Sequence, residues 1–231
     1  MFCRPGPIRG NNGDIEALIE PHGERMTQPH VTDGPGFVIQ AGIRPDYLDA
    51  VAEGYWQAFA GKLRYPLGPK SKCIAFLRDV MNPACAISAV SDDGRLLGVA
   101  GLKSRQSGFV GGDFRDLVRA YGLLSAIVRS PLISLLERPV EDGILLMDGI
   151  FVTPDARGLG VGTALLSTIE TYAAELGHGQ VRLDVVDSNP RARSLYERQG
   201  FVAQSETSTG ILAPLLGFRR ATTMMKPVPA V

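Results

Sequence analysis

The chain has 231 residues, of which 45% are hydrophobic, and its 24 lysines and arginines balance 24 aspartates and glutamates. This length and apolar content predict one sizeable core, and the zero net charge gives no basic surplus of the kind that nucleic-acid-binding proteins carry. Three scattered cysteines and three scattered histidines fit neither a disulfide framework nor a metal site.

Residues 1–36 are rich in glycine, proline, asparagine and histidine and show no sustained hydrophobic periodicity. This composition predicts a disordered tail. The tail contains no apolar core of a signal peptide. We therefore expect a cytoplasmic protein with reduced thiols, in which 37–231 form a single domain.

The first part of this domain is predicted to be a strand, two helices and a hairpin. "GFVIQAGIRP" is typical of a strand, and apolar residues at helical spacing from Asp46 onward predict the first helix. "RYPLGPKSK" breaks that spacing and predicts the end of the helix. The spacing then predicts a second helix over Lys72–Met81, and Asp93-Gly94 between two apolar runs predicts a hairpin turn.

Residues 109–138 are predicted to form a helical insertion. One amphipathic stripe is formed by Leu117, Val118, Tyr121, Leu124 and Val128. Pro131 is expected to separate this helix from a short continuation. The apolar run over Tyr121–Leu136 is interrupted by Arg129 and falls short of the roughly 20 apolar residues that span a bilayer, so we expect no membrane partner.

The remainder of the chain alternates between strands and helices. "GILLMDGIFV" and "QVRLDVV" predict strands on either side of a helix that ends at Gly177. Asn189-Pro190 predicts the start of a further helix, because asparagine is a good N-cap and proline suits the first helical position. "FVAQSET" and "LGFRRATTMMK" predict the last two strands. The fold class is therefore α/β or α+β, built around a mixed sheet.

The segment "PDARGLGVGTALL", Pro154–Leu166, places a glycine-rich turn between a strand and a helix. Such a turn is suited to an anion, because unpaired N–H groups and the helix dipole point outward. No lysine follows the glycines, which excludes the Walker A pattern, and Thr163 breaks the dinucleotide pattern G-x-G-x-x-G. A third pattern, R-x-x-G-x-G, is met by Arg157, Gly160 and Gly162.

A second motif accompanies this turn. In "NPRARSLYERQGF", six residues fit N-x-x-A-x-x-L-Y-x-x-x-G-F, namely Asn189, Ala192, Leu195, Tyr196, Gly200 and Phe201. With both motifs in this order, the chain resembles the GNAT superfamily of acyl-CoA-dependent N-acetyltransferases. The resemblance implies a mixed, mostly antiparallel central sheet flanked by helices, here with an extra helical insertion before the fourth core strand. It also implies acetyl-CoA, or another acyl-CoA, as co-substrate, and the scattered histidines lead us to expect no metal.

The resemblance further implies roles for named residues. Tyr196 is the candidate general acid and Asp148 the candidate base. Cofactor-binding roles are expected for Ile150, Phe151, Val152, Arg157, Gly158, Leu159, Gly160, Val161, Gly162, Thr163 and Asn189. A backbone N–H in the strand Ile150–Val152 would stabilise the oxyanion.

Structural alternatives stand beside these roles. Tyr196 could be a core residue, and Asn189 could only cap its helix. Strand alternation predicts that Asp148 shares one face with Ile150 and Val152. Asp148 could instead pair with an arginine of a neighbouring strand, such as Arg182, and Glu141 and Asp142 are further candidate bases.

The acceptor is expected to be a small-molecule or peptide amine, and the partners to be considered include a second copy of the chain in a homodimer. In the family, the acceptor lies between the first two helices and the final hairpin. This corresponds here to Tyr55, Trp56, Phe59, "RYPLGPKSK" and Thr207–Leu216. The insertion would either cover the site or serve as an extra packing element or dimer contact. A non-catalytic acyl-CoA sensor or scaffold is the alternative function.

Overall fold

A computed structural model describes residues 36–105, 107–137 and 139–229. The predicted tail over 1–36 lies outside these ranges, apart from Gly36. The strands are β1 (Phe37–Ala41), β2 (Ala86–Ser91), β3 (Leu96–Lys103), β4 (Ile144–Val152), β5 (Gln180–Val186), β6 (Val202–Ser208) and β7 (Arg220–Pro227). The helices are α1 (Leu48–Leu67), α2 (Lys70–Val80), α3 (Phe114–Tyr121), α4 (Leu123–Ser134), α5 (Val161–Glu175), α6 (Pro190–Arg198) and α7 (Ala213–Leu216).

All seven strands form one sheet in the order β1-β2-β3-β4-β5-β7-β6. The β4–β5 pair is parallel and the other neighbours are antiparallel. The parallel pair is possible because α5 crosses over between its strands. The mixed, mostly antiparallel sheet flanked by helices and the two helices inserted before β4 are therefore as predicted.

Helices cover both faces of the sheet. We call the face under α5 and α6 the back face and the face under α1 to α4 the front face. Alternation in β5 places Val181, Leu183 and Val185 in the back-face core with Leu165 and Ile169 of α5. The front-face core is built from α1, α2 and the insertion. Residues of β5 between those three apolar positions consequently face the front.

Helix α1 is longer than predicted, because it continues through Pro66 to Leu67 instead of ending at "RYPLGPKSK". Leu63, Pro66 and Leu67 are buried, so tertiary packing outweighs the loss of one backbone hydrogen bond at the proline. The carbonyls at this helix end are bound from the insertion. Arg129 donates to the Pro66 carbonyl at 2.7 Å, and the Tyr121 hydroxyl donates to the Leu67 carbonyl.

The insertion differs from its predicted form. Gly122, at φ +82°, separates α3 from α4, whereas Pro131 lies inside α4. The predicted single stripe is wrong, since Leu117 and Tyr121 are buried while Leu124 is 82% exposed and Val128 is 68% exposed. The glycine changes the helix direction, so one helical periodicity cannot be continued across it.

Candidate functional site

The glycine turn links β4 to α5 and is exposed. Gly158 has φ +86° and Gly160 has φ +83°, and a Cβ on either glycine would meet no atom within 4 Å. Glycine is therefore required here by backbone conformation and not by crowding. Gly160 is the N-cap of α5 and provides no side-chain cap. The first N–H groups of α5 consequently remain available to an anion at the positive end of the helix dipole.

The other predicted residues of the turn divide between the core and the surface. Val161 is buried in the back-face core and anchors the first turn of α5. Arg157, Leu159 and Thr163 are exposed. A Cβ on Gly162 would lie 3.2 Å from the Leu195 side chain, so the turn is packed against α6. The two sequence motifs therefore meet in space.

Strands β4 and β5 separate soon after they begin. Their pairing runs from Ile144 with Gln180 to Leu146 with Arg182. Both strands continue beyond this point, and in the described part of the chain no further pairing joins them. We call the opening between them the β4–β5 wedge. It leaves the backbone groups of β4 that point away from β3, such as those of Ile150 and Val152, available to a bound molecule, which could add to the strand as an extended neighbour.

Strand β4 contains a bulge at Asp148. Across β3, Gly101 pairs with Gly149 but Leu102 pairs with Met147, which leaves Asp148 as an extra residue. An extra residue reverses the alternation of side chains between the two faces. The side chains on either side of Asp148 therefore do not follow one regular pattern.

The bulge places Asp148 on the front face. Ile150 and Val152 pack against the back-face core, whereas the backbone N–H of Val110 donates to Asp148 Oδ2 at 3.3 Å. The prediction that Asp148 shares a face with Ile150 and Val152 is therefore wrong, because it assumed a regular strand. Phe151 packs into the front-face core, as the altered alternation requires.

Asp148 is half-buried, and Tyr55 and two lysines lie close enough to interact with its charge. Burial raises the pKa of Asp148 above its ordinary value, although the positive charges of Lys103 and Lys62 oppose this effect. Burial, with a smaller contribution from the charge of Asp148, raises the pKa of Tyr55. A carboxyl group whose pKa lies above the usual range is better matched to accepting a proton near neutral pH.

The structural alternative of an Asp148–Arg182 pair is not observed. Arg182 lies instead 3.6 Å from Glu141 and 3.7 Å from Asp184. Asp142 pairs with Arg105 on the surface.

The second motif forms the start and the buried face of α6. Asn189 caps the helix, since its side chain accepts a hydrogen bond from the Ala192 N–H at 3.2 Å. Tyr196 is 5% exposed and lies in the back-face core, with its ring 6.1 Å from that of Phe201. Burial raises the pKa of Tyr196 above its ordinary value. The hydroxyl is thus held protonated, as a proton donor must be.

Three features on the front face were missed by the sequence reasoning. Lys62 lies with Tyr55 and Phe59 on one face of α1, which the i, i+4, i+7 spacing could have indicated. The capping of α1 by Arg129 had no local signal, because the two segments are more than 60 residues apart. The loose pairing of Arg182 likewise depends on the assembled sheet.

The residues of the predicted acceptor region lie around the front face of the sheet. Tyr55 and Phe59 lie against Gly149, and Trp56 is half-buried in the front-face core. A pocket of about 150 Å³ lies between the end of α4 and the β6–β7 segment. Its lining includes Leu135, Thr207, Leu212, Leu216 and Phe218.

Two further features are absent from the described residues. No helix there is long and apolar enough to cross a membrane. In the same ranges, no three histidine, cysteine, aspartate or glutamate side chains converge in a way that could hold a metal ion.

Two curated proteins are similar in sequence to part of this chain. Over part of the chain, an uncharacterized N-acetyltransferase, YhfO of Bacillus subtilis, is 38% identical over 69 residues, which cover 30% of this chain and 44% of that protein. A thialysine N-epsilon-acetyltransferase of Bos taurus is 36% identical over 56 residues, covering 24% of this chain and 33% of that protein. The matched stretch thus spans less than half the length of these curated relatives.

Solved structures share the fold over most of the chain. A GCN5-related N-acetyltransferase from Kribbella flavida aligns with a TM-score of 0.56 at 16% identity, covering 83% of this chain and 98% of that one. A phosphinothricin acetyltransferase from Sinorhizobium meliloti, solved in complex with AcCoA, aligns with a TM-score of 0.53 at 15% identity, covering 84% and 89%.

The family model named Acetyltransferase (GNAT) family matches residues 48–201, which contain the glycine turn, the Asp148 bulge and helix α6. On these grounds, the chain belongs to the GNAT acetyltransferase family.

Proposed function

We propose that the protein is an N-acetyltransferase that transfers an acetyl group from acetyl-CoA to a primary amine by direct attack. The observation that carries this proposal is the β4–β5 wedge, which has the glycine turn at one end and the Asp148 bulge at the other. An elongated molecule with an anionic end and a reactive end matches such a site.

The backbone would hold the donor. The N–H groups from Gly158 to Thr163 would bind the pyrophosphate, with Arg157 as a nearby cation. The pantetheine arm would lie in the wedge along Ile150–Val152. One backbone N–H of this segment would donate to the carbonyl oxygen of the thioester and stabilise the negative charge that develops there.

Two side chains would move the protons. Acetyl-CoA supplies an activated thioester. As the amine nitrogen forms its bond to the acetyl carbon and the carbon–sulfur bond breaks, the nitrogen loses a proton to Asp148 and the sulfur receives one from Tyr196. The raised pKa of Asp148 favours its role as the proton acceptor. The raised pKa of Tyr196 keeps the donor protonated, but it makes transfer to a thiolate costlier than from an exposed tyrosine.

The alternative function is a non-catalytic sensor or scaffold that binds acyl-CoA. Such a protein would bind acyl-CoA through the glycine turn and the wedge, but it would not need Asp148 as a base. The location of Asp148, in the bulge and close to two lysines, favours catalysis because burying an acidic group is unfavourable for folding.

A thiol-release screen tests this proposal. Purified protein is mixed with acetyl-CoA and a panel of amines, amino acids and short peptides, and free coenzyme A is measured over time. We expect amine-dependent release for at least one class of acceptor. Tight acetyl-CoA binding without release across the whole panel would favour the sensor.

A further inference from the structure

Arg182 lies where the β4–β5 wedge begins. It is the last residue of β5 paired with β4, opposite Leu146. Its neighbours Val181 and Leu183 fill the back-face core, so the guanidinium group lies on the front face. The side chain is 13% exposed, which is low for an arginine.

The ion pairs of this arginine are loose. Glu141 and Asp184 lie 3.6 Å and 3.7 Å from the guanidinium nitrogens. Both distances exceed the range of about 2.7–3.2 Å for ordinary N–H···O hydrogen bonds. The buried Nε has no hydrogen-bond partner among the described residues. Asp184 accepts a hydrogen bond from the Thr223 hydroxyl, and Glu141 is 66% exposed.

A buried guanidinium group with an unmatched N–H retains capacity for an anion. Its planar fork matches a carboxylate through two parallel hydrogen bonds. Lys103 pairs with Leu146 from the β3 side, so cations flank this point of the front face on both neighbouring strands. An incoming carboxylate would find Arg182 on one side and Lys103 on the other, and it would compete with Glu141 and Asp184 for the guanidinium group.

Asp148 is close to this point. It follows Leu146 by two residues on β4 and lies on the same face. Ordinary sheet spacing would place its α-carbon about 8 Å from that of Arg182, and the separation of the two strands beyond Leu146 makes this a lower bound. A molecule that carries both an amine and a carboxylate can reach both residues.

We propose that the acceptor is an amino acid whose carboxylate is bound by Arg182 while its amine faces Asp148. This inference rests on the proposed N-acetyltransferase function and adds its substrate class. Arg182 then determines specificity, because it acts on the part of the acceptor that does not react.

Matched acceptors test the proposal. Each amino acid of a panel is compared with its carboxamide and with the amine that lacks the carboxyl group, by coenzyme A release. We expect kcat/KM at least tenfold higher for the acids in the wild-type protein. Arg182→Gln is expected to remove this preference mainly by raising KM for the acids, with the amides little changed, and Arg182→Lys to restore it in part. Arg95→Gln, at an exposed hairpin arginine, is the control.

The outcomes separate this inference from the proposed function. Equal kcat/KM for acids and amides in the wild-type protein would overturn the inference while acetyl transfer stands, and this comparison needs no variant to fold. An equal loss for both classes in Arg182→Gln would also overturn it. If no amine releases coenzyme A, the proposed function fails. In that case, calorimetry measures the binding of the same acids and amides to coenzyme A-saturated protein. Tighter binding of the acids that is lost in Arg182→Gln supports the inference, whereas equal binding of acids and amides to the wild-type protein overturns it.

Discussion

At the residue scale, Asp148 is subject to opposing demands. The proposed role as a base requires its ionised form, whereas burial favours the neutral form and raises its pKa. The family resemblance identified this residue as a candidate base. Its orientation could not be predicted, because the bulge that turns it to the front face arises from pairing with β3 and leaves no local mark in the sequence.

Replacing Asp148 with asparagine is predicted to remove the acidic limb of the pH profile of kcat/KM. The limb belongs to a carboxyl group whose pKa lies above its ordinary value, so activity should rise through a pH range higher than that of an exposed aspartate. We expect a loss of about 10²–10⁴ at neutral pH, which is typical for removal of a general base. Initial rates between pH 4 and 9 measure both effects, and the exposed Asp142→Asn is the control. An unchanged acidic limb would refute the assignment.

The same substitution is predicted to stabilise the protein at neutral pH. The folded state prefers the protonated form of Asp148, because its folded-state pKa is raised. The stabilisation from this preference is fully present below the unfolded-state pKa and is lost as pH rises through the folded-state pKa. Asp148→Asn should therefore melt above the wild type at pH 8 and close to it below pH 4. Thermal unfolding across this range measures the difference, and a difference independent of pH would argue against a buried, raised-pKa carboxyl group.

Tyr196→Phe keeps the buried ring and removes the proton donor. We expect kcat to fall by about 10²–10⁴, with little change in melting temperature or in KM for acetyl-CoA. Tyr172→Phe, which alters a partly buried ring packed on the same core, should have no such effect on kcat. Full kcat in Tyr196→Phe at every pH would leave Tyr196 as a core residue only.

At the element scale, the glycine turn and α5 are predicted to bind the donor through the backbone. Gly160→Ala and Gly177→Ala place alanine at similar positive φ values at opposite ends of α5, and neither new Cβ would be crowded. Both should destabilise the protein by roughly 1–2 kcal/mol. Gly160→Ala alone should also weaken acetyl-CoA binding about tenfold. Calorimetry and thermal unfolding measure the two effects, and equal weakening in both variants would contradict a specific role of the turn.

The insertion is predicted to stabilise α1. Arg129 donates to the Pro66 carbonyl and stacks 4.4 Å from the centre of the Tyr121 ring. Arg129→Ala should lower the free energy of unfolding by about 1.5–3 kcal/mol, the range for hydrogen bonds of charged groups. The exposed Arg119→Ala should stay within about 0.5 kcal/mol. Urea denaturation measures both, and equal effects would show that the α1 carbonyls do not depend on Arg129.

These elements show how far the sequence could predict the fold. Hydrophobic periodicity and turn residues predicted the strands, the hairpin and the N-cap at Asn189, because each depends on neighbours in the chain. The length of α1 and the direction of α4 could not be predicted in this way. Pro66 is tolerated through packing with distant residues, and Gly122 ends a periodicity that appears continuous in the sequence.

At the scale of the whole molecule, the separation of β4 and β5 organises the site. The parallel pair is joined only near its start, so the sheet opens at its centre while antiparallel pairing holds each half together. The glycine turn borders this opening, Asp148 and Arg182 face its front, and α6 packs behind it. The two motifs predicted the glycine turn and the capped helix α6, and only the folded sheet brings the parts of the candidate site together.

A single-turnover experiment with acetyl-CoA and an accepted amine tests the central claim most directly. Protein in excess over acetyl-CoA is mixed with the amine, and mass spectrometry follows protein, coenzyme A and amine together. Direct transfer predicts that acetylated amine and coenzyme A appear in equal amounts and at the same rate, with the protein mass unchanged. Acetyl-CoA that stays bound and intact, or an acetylated protein formed before the product, would contradict the account.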